Sequence, residues 1–172
     1  MTTHGPGDTI WETMGTDGSI GGSTSLAHGW STGPTSALSK YVLGIAPVGA
    51  GYSTWLVEPH PGNLAWAEGK VPTPHGAIVV KWGHEQPQGQ FVMHATVPSA
   101  TSGTIGVPTF GRQAVIHVNG RLVWNNGQFH AAPGITGAQL HGHDITLQVN
   151  PAAVSRGRRA ATFFVVSKET GT

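Results

Sequence analysis

The sequence predicts a mainly β protein, an antiparallel β-sandwich preceded by a short helical segment, and three observations carry that expectation. Glycine (26) and proline (12) are abundant in the 172 residues while charged residues make up only 10%, a composition that excludes a coiled coil or long-helix bundle and calls for many turns between short segments. Beyond Pro47 the apolar residues change from a helical period to strict alternation, the mark of half-buried strands. Asn119-Gly120 sits between two apolar runs and is a two-residue hairpin signal, because both residues tolerate the positive φ of a type I′ turn.

In chain order, Ile10-Trp11-Glu12-Thr13-Met14 is short and apolar and fits helix or strand equally. A helical turn is expected around Ser23–His28, cut short by Gly29 and Gly33-Pro34. Leu38, Tyr41, Val42 and Ile45 then recur at i, i+3, i+4 and i+7, an amphipathic stripe. With Ser31, Thr32 or Thr35 as N-cap and Pro34 in the first turn, they predict a helix over 34–43, stopped by Gly44 and kept from resuming by Pro47. Strands are expected over 52–58, 64–71, 77–82, 90–97, 103–107, 114–118, 121–124, 145–149 and 160–167, bounded by Gly, Pro, Asn and Asp. In the run 90–97, Phe91, Met93, Ala95 and Val97 share one face. The expected organisation is an N-terminal loop and helical segment over 1–47 and a β-sandwich over 48–172.

Charge and special residues narrow the function. Lys+Arg 9 against Asp+Glu 8 offers no basic patch for nucleic acid or an anionic membrane, so neither is expected as a partner. Cysteine is absent, which excludes disulfides, thiolate metal sites and a cysteine nucleophile. No run approaches the ~18 apolar residues of a membrane helix, and the opening Met1-Thr2-Thr3-His4 lacks a basic and an apolar region, so a cytoplasmic location is expected. Phosphate loops, dinucleotide fingerprints and Gly-x-Ser-x-Gly are missing from the sequence. His141-Gly142-His143-Asp144 offers three ligands without a fourth, and His60, His75, His84 and His94 have no fixed spacing; these read as solvated or turn histidines, and no metal or cofactor is expected. Arg156-Gly157-Arg158-Arg159 reads as a solvated turn.

A series of short motifs runs through the first hundred residues: Thr9-Ile10-Trp11-Glu12, Ser25-Leu26-Ala27-His28-Gly29-Trp30, Tyr41-Val42-Leu43-Gly44-Ile45, Gly51-Tyr52, Val57-Glu58-Pro59-His60-Pro61-Gly62, Leu64-Ala65-Trp66-Ala67-Glu68-Gly69, Val71-Pro72-Thr73-Pro74-His75-Gly76 and Trp82. In this order they resemble the C-terminal part of α-L-rhamnosidases of glycoside hydrolase family 78, where the last helices of an (α/α)6 barrel lead into a β-sandwich. The resemblance covers about residues 9–100 and implies a carbohydrate-active or carbohydrate-binding protein. Glu12 matches the glutamate that serves as general base, and His28 matches a histidine lining the sugar pocket. The general acid of that family belongs to the barrel upstream, which these 172 residues do not contain. Inversion at a glycosidic carbon needs two carboxyl groups roughly 6.5–9.5 Å apart, so the chain is expected to be an incomplete glycosidase by itself. Glu58, Glu68 or a second copy are the candidates for the other carboxyl.

Residue by residue, Glu12 and His28 are the candidate catalytic pair, with a glycine-rich stretch between them long enough to fold back. Trp11, Trp30, Trp55 and Trp66 are candidate sugar-stacking surfaces, since aromatic faces suit the apolar face of a pyranose; their alternative is the core. A glycan or other small molecule is the expected ligand. The alternative function is a stand-alone cyclase, isomerase or lyase, in which Glu12 and His28 share a closed apolar pocket suited to acid–base chemistry. Leaving the Leu38, Tyr41, Val42, Ile45 stripe exposed would forfeit roughly 1.5–3 kcal/mol per side chain, so homodimerisation through the helical segment is also expected.

Overall fold

A computed structural model describes residues 11–13, 15–17, 19, 25, 27–85 and 89–170. The chain divides into two compact units, Met1–Leu38 and Ser39–Thr172. Of the segment 10–14, Ile10 and Met14 lie outside the described residues, as do Ser23, Thr24 and Leu26 of the turn expected at 23–28.

Helical structure starts as a tight turn at Gly29–Thr32, continues as α1 (Gly33–Ala37) and widens into a π-type turn over Leu38–Val42. This matches the helix expected over 34–43 in place but not in packing. Gly44 ends it at φ +77°, and a Cβ there would lie 2.2–2.4 Å from the Glu58 and Pro59 backbone. Only glycine combines that angle with that close approach. The chain then leaves helical geometry at once, so Ile45 departs from the expected stripe, opens strand β1 (Ile45–Pro47) and is buried. Leu38 and Tyr41 stay 57% and 51% exposed. Leu43 and Ile45 are core residues and lie in the unit Ser39–Thr172.

The larger unit carries β1, β2 (Thr54–Val57), β3 (Trp66–Val71), β4 (Ile78–Glu85), β5 (Gln90–Pro98), β6 (Ser102–Pro108), β7 (Ala114–Val118), β8 (Arg121–Asn125), β9 (Gln128–Phe129), β10 (Ile135–His141), β11 (Asp144–Val149), the short helix α2 (Ala152–Ser155) and β12 (Ala160–Glu169). Among the described residues they form a five-stranded sheet, β1-β2-β6-β11-β10, and a seven-stranded sheet, β3-β4-β5-β12-β7-β8-β9. All pairs are antiparallel except β2 and β6, which run parallel from Thr54↔Ser102 to Val57↔Ile105. The Val118↔Arg121 pair closes the β7–β8 hairpin, with Asn119 at φ 50° and Gly120 at φ 77°, both in the left-handed region that a type I′ turn demands.

The inward faces follow the alternation read from sequence: Phe91, Met93, Ala95 and Val97 of β5 are buried, and His94 is exposed. They join Ile78, Val80 and Trp82 of β4, Phe163 and Val165 of β12, and Ile105, Val107, Ile145 and Leu147 from the other sheet in one core. Two tryptophans add polar anchors. The Trp82 indole N–H donates to the Val42 carbonyl at 2.8 Å, fastening the helical turn to the sheet, and the Trp55 indole N–H donates to Thr101 Oγ1 at 2.8 Å. Gly103, paired with Trp55 across β2 and β6, makes room for that ring, since a Cβ there would lie 2.3 Å from it.

Candidate functional site

In the N-terminal unit the backbone brings Glu12 and His28 together. The Glu12 N–H donates to the Ser25 carbonyl at 2.9 Å, and the Ser25 N–H donates back to Glu12 Oε2 at 3.2 Å. Nearby in sequence, the Gly15 N–H donates to the Ser19 carbonyl at 2.9 Å. Glu12 Oε2 then stands 3.9 Å from His28 Nδ1, with the side chains 43% and 33% exposed respectively. One carboxylate oxygen is thus held by a backbone amide and faced by an imidazole, an arrangement able to orient a water or a sugar hydroxyl. The pair is open to solvent, unlike the closed apolar pocket on which the stand-alone enzyme reading depends.

Asp17 is the other described carboxyl group of this unit. The Ser19 hydroxyl and then the Ser19 amide, which donates to Asp17 Oδ1 at 3.0 Å, hold its carboxyl below its ordinary value. A group held in that direction stays ionised near neutrality and is unsuited to protonating a leaving oxygen.

The tryptophans differ in exposure. Trp55 is 1% exposed, out of a ligand's reach and part of the core; Trp66, in the same unit, is 66% exposed on the outward face of β3. Within the N-terminal unit Trp30 is 93% exposed and Trp11 half-buried. The difference between Trp55 and Trp66 follows from strand parity. Trp55 alternates with half-buried Thr54 and Leu56 and faces in, while Trp66 shares an outward face with Glu68 and Lys70.

The two further carboxylates named from sequence have other surroundings. Glu58 is half-buried, with its Cγ close over Gly106. Glu68 pairs with Lys81 at 3.0 Å. Lys81 and His94, which sequence reading passed over or assigned to solvent, join Glu68 and Trp66 around a surface depression of about 710 Å³. Only strand register puts them there, through Glu68↔Lys81 and Lys81↔His94.

His141-Gly142-His143-Asp144 is the β10–β11 turn, docked by the Thr109 N–H and hydroxyl, which donate to the His143 carbonyl at 3.1 and 2.6 Å. Burial pushes the Asp144 carboxyl up, against the opposing pull of His60, His143, His141 and the Thr109 amide. Among the described residues no three His, Asp or Glu side chains gather as a metal site. A second cavity, about 550 Å³, opens beside this turn between Arg112, Trp124 and His143, and Arg112 there is paired with Glu169.

Parts of the chain are similar to known proteins. The bacterial α-L-rhamnosidase C-terminal domain matches residues 44–121. A curated α-L-rhamnosidase of Streptomyces avermitilis is 31% identical over 83 residues, which are 48% of this chain and 8% of that protein. Among solved structures, the α-L-rhamnosidase of Dictyoglumus thermophilum superposes with a TM-score of 0.71 at 18% identity, covering 94% of this chain and 16% of that one. The Streptomyces avermitilis α-L-rhamnosidase complexed with L-rhamnose gives 0.61 at 19% identity, over 92% of this chain and 13% of that one. Residues 44–121 are thus similar to the C-terminal domain of bacterial α-L-rhamnosidases, the chain shares its fold with part of the solved α-L-rhamnosidases, and it spans a small part of the length of the relatives it matches. The matched sequence segment begins beyond Glu12 and His28.

Proposed function

We propose that this chain acts on carbohydrate as the C-terminal portion of an α-L-rhamnosidase-type protein, in which Glu12 and His28 form one side of a rhamnoside site. The observation that supports the reading is the Glu12–His28 approach at 3.9 Å, with Glu12 held by the Ser25 amide, on a chain whose residues 44–121 match the rhamnosidase C-terminal domain. Glu12 is the group to activate a water as general base, and the imidazole, beside the same oxygen, orients it and can hold a sugar hydroxyl. Hydrolysis needs a second carboxyl group able to give up a proton. Asp17, tied to Ser19, does not meet that need, and the acid is supplied by protein outside this chain.

The test pairs an assay with a binding measurement on the purified 172-residue chain. No turnover of an aryl α-L-rhamnoside above buffer is expected. Methyl α-L-rhamnopyranoside is expected to shift the His28 ring resonances in NMR, and Glu12→Gln and His28→Ala each to weaken that response. Turnover by the chain that Glu12→Gln abolishes would place both carboxyls within it and overturn the incomplete-site reading. A His28 ring indifferent to the rhamnoside would overturn the site assignment.

A further inference from the structure

The outward face of the seven-stranded sheet carries a second constellation, well away in sequence from Glu12 and His28. Register builds it in two rows. Trp66 of β3 pairs with Gly83 of β4, which pairs with Val92 of β5; Glu68 pairs with Lys81, which pairs with His94. Each row therefore presents neighbouring positions on one face.

Four features make this more than an exposed aromatic residue. Trp66 is 66% exposed, although Ala67, its neighbour in β3, packs against the core. At Gly83, the position beside the indole, a Cβ would meet nothing nearer than the Ala65 carbonyl at 3.9 Å, so no side chain covers the ring from that strand. The result is the depression of about 710 Å³ lined by Trp66, Glu68, Lys81, Gly83, Val92 and His94. In the second row, Glu68 and Lys81 hold each other at 3.0 Å, and the His94 ring lies against Phe164 with centroids 4.4 Å apart. These polar groups are thus held in place on a rigid sheet rather than on loops, which lowers the entropy lost on binding.

We propose that this surface binds a neutral pyranose residue of a glycan, the sugar's apolar face on the Trp66 indole and its hydroxyls toward Glu68, Lys81 and His94. The chemistry selects that class. An ion pair one hydrogen-bond length apart presents an acceptor beside a donor with no net charge, which suits two adjacent hydroxyls, each able to give and accept a hydrogen bond. A phosphate or uronate would meet the Glu68 carboxylate, and a cationic ligand would meet Lys81. A wholly apolar partner would leave the paired charges desolvated without new partners. The indole supplies a broad apolar contact with a rigid frame. The site is independent of the Glu12–His28 reading, and its failure would leave that reading untouched.

The experiment is an indole N–H titration of the 172-residue chain by two-dimensional NMR, with the Trp66 resonance assigned from Trp66→Phe. The probes are methyl α-L-rhamnopyranoside, methyl β-D-glucopyranoside and methyl β-D-glucuronide. Saturable shifts of the Trp66 signal by at least one neutral pyranoside are expected, with Kd on the order of 1 mM. The glucuronide should bind more weakly than the glucoside. Trp66→Ala should abolish the response of the Lys81 and His94 resonances, and Glu68→Gln should weaken binding by roughly three- to tenfold, with melting temperature unchanged because both positions are exposed. Glu12→Gln should leave the Trp66 titration unaltered. A Trp66 signal silent to every neutral pyranoside overturns the proposal, as does preference for the glucuronide. So does a shift on dilution of the unliganded protein, abolished by Trp66→Ala without any sugar response, which would assign the face to contact between copies.

Discussion

The surroundings of two aspartates push their carboxyls in opposite directions from the ordinary value. Asp17 is exposed and its carboxylate receives hydrogen bonds from Ser19, so its charged form is favoured. Asp144 is partly buried at the start of β11, and the loss of water outweighs the pull of His60, His143 and His141. The folded state therefore binds the Asp144 proton more tightly than the unfolded state does. Stability associated with this group is greatest below the ordinary aspartate range and falls as pH rises through the raised value. Asp144→Asn removes that titration. The variant is expected to gain stability over the parent at pH 7 and to lose the advantage near pH 3, measured by urea midpoints at the two pH values. An advantage that is the same at both would show that the fold does not raise the Asp144 carboxyl above its ordinary value. The same scale shows what could be read from residue types alone. Glu12 and His28 stood out by their motifs and lie together, whereas Lys81 and His94 had no local signal, because what brings them to Glu68 is the pairing of three strands.

Secondary-structure elements here are punctuated by glycines of two physical kinds, and substitution separates them. Gly120 at the β7–β8 tip has φ +77° and open space where a Cβ would point; Gly44, between the helical turn and β1, has the same φ but backbone 2.2–2.4 Å away. Gly120→Ala is expected to destabilise by about 1 kcal/mol, the left-handed backbone penalty alone. Gly44→Ala should lose about 3 kcal/mol or more, because the Glu58–Pro59 backbone must move as well. Equal urea midpoints for the two variants would refute this ordering. Both glycines were legible as breaks. Strands β1, β9 and β10 were not expected, for identifiable reasons. β1 is three residues long and continues an apolar stripe that imitates a helix. β9 has two residues. β10 is an edge strand whose register slips between Ile135 and Gly137, which blurs its alternation.

At the scale of the molecule, the core residues described run from Leu43 to Val165, all within the unit that begins at Ser39. A chain of residues 39–172 is accordingly expected to keep a β-dominated far-ultraviolet circular dichroism spectrum and to unfold in one cooperative step. Loss of that cooperativity would show that the first 38 residues are part of the folding unit. The truncated chain should lose the Glu12–His28 response to a rhamnoside and retain the Trp66 response to a neutral pyranoside, so that the two candidate sites are told apart in one protein.

The fold class, most strand positions, the hairpin at Asn119-Gly120 and the resemblance to the rhamnosidase C-terminal portion were legible in the residues alone. Those properties are written in alternation, turn chemistry and motif order, which act over a few residues. Which tryptophan faces outward and which carboxylates find partners was set by the packing of the strands into sheets. So was the parallel joining of β2 to β6. These outcomes depend on strand register and on which sheet each strand enters, and a shift of one residue would turn Trp66 inward and Trp55 outward without changing either local pattern.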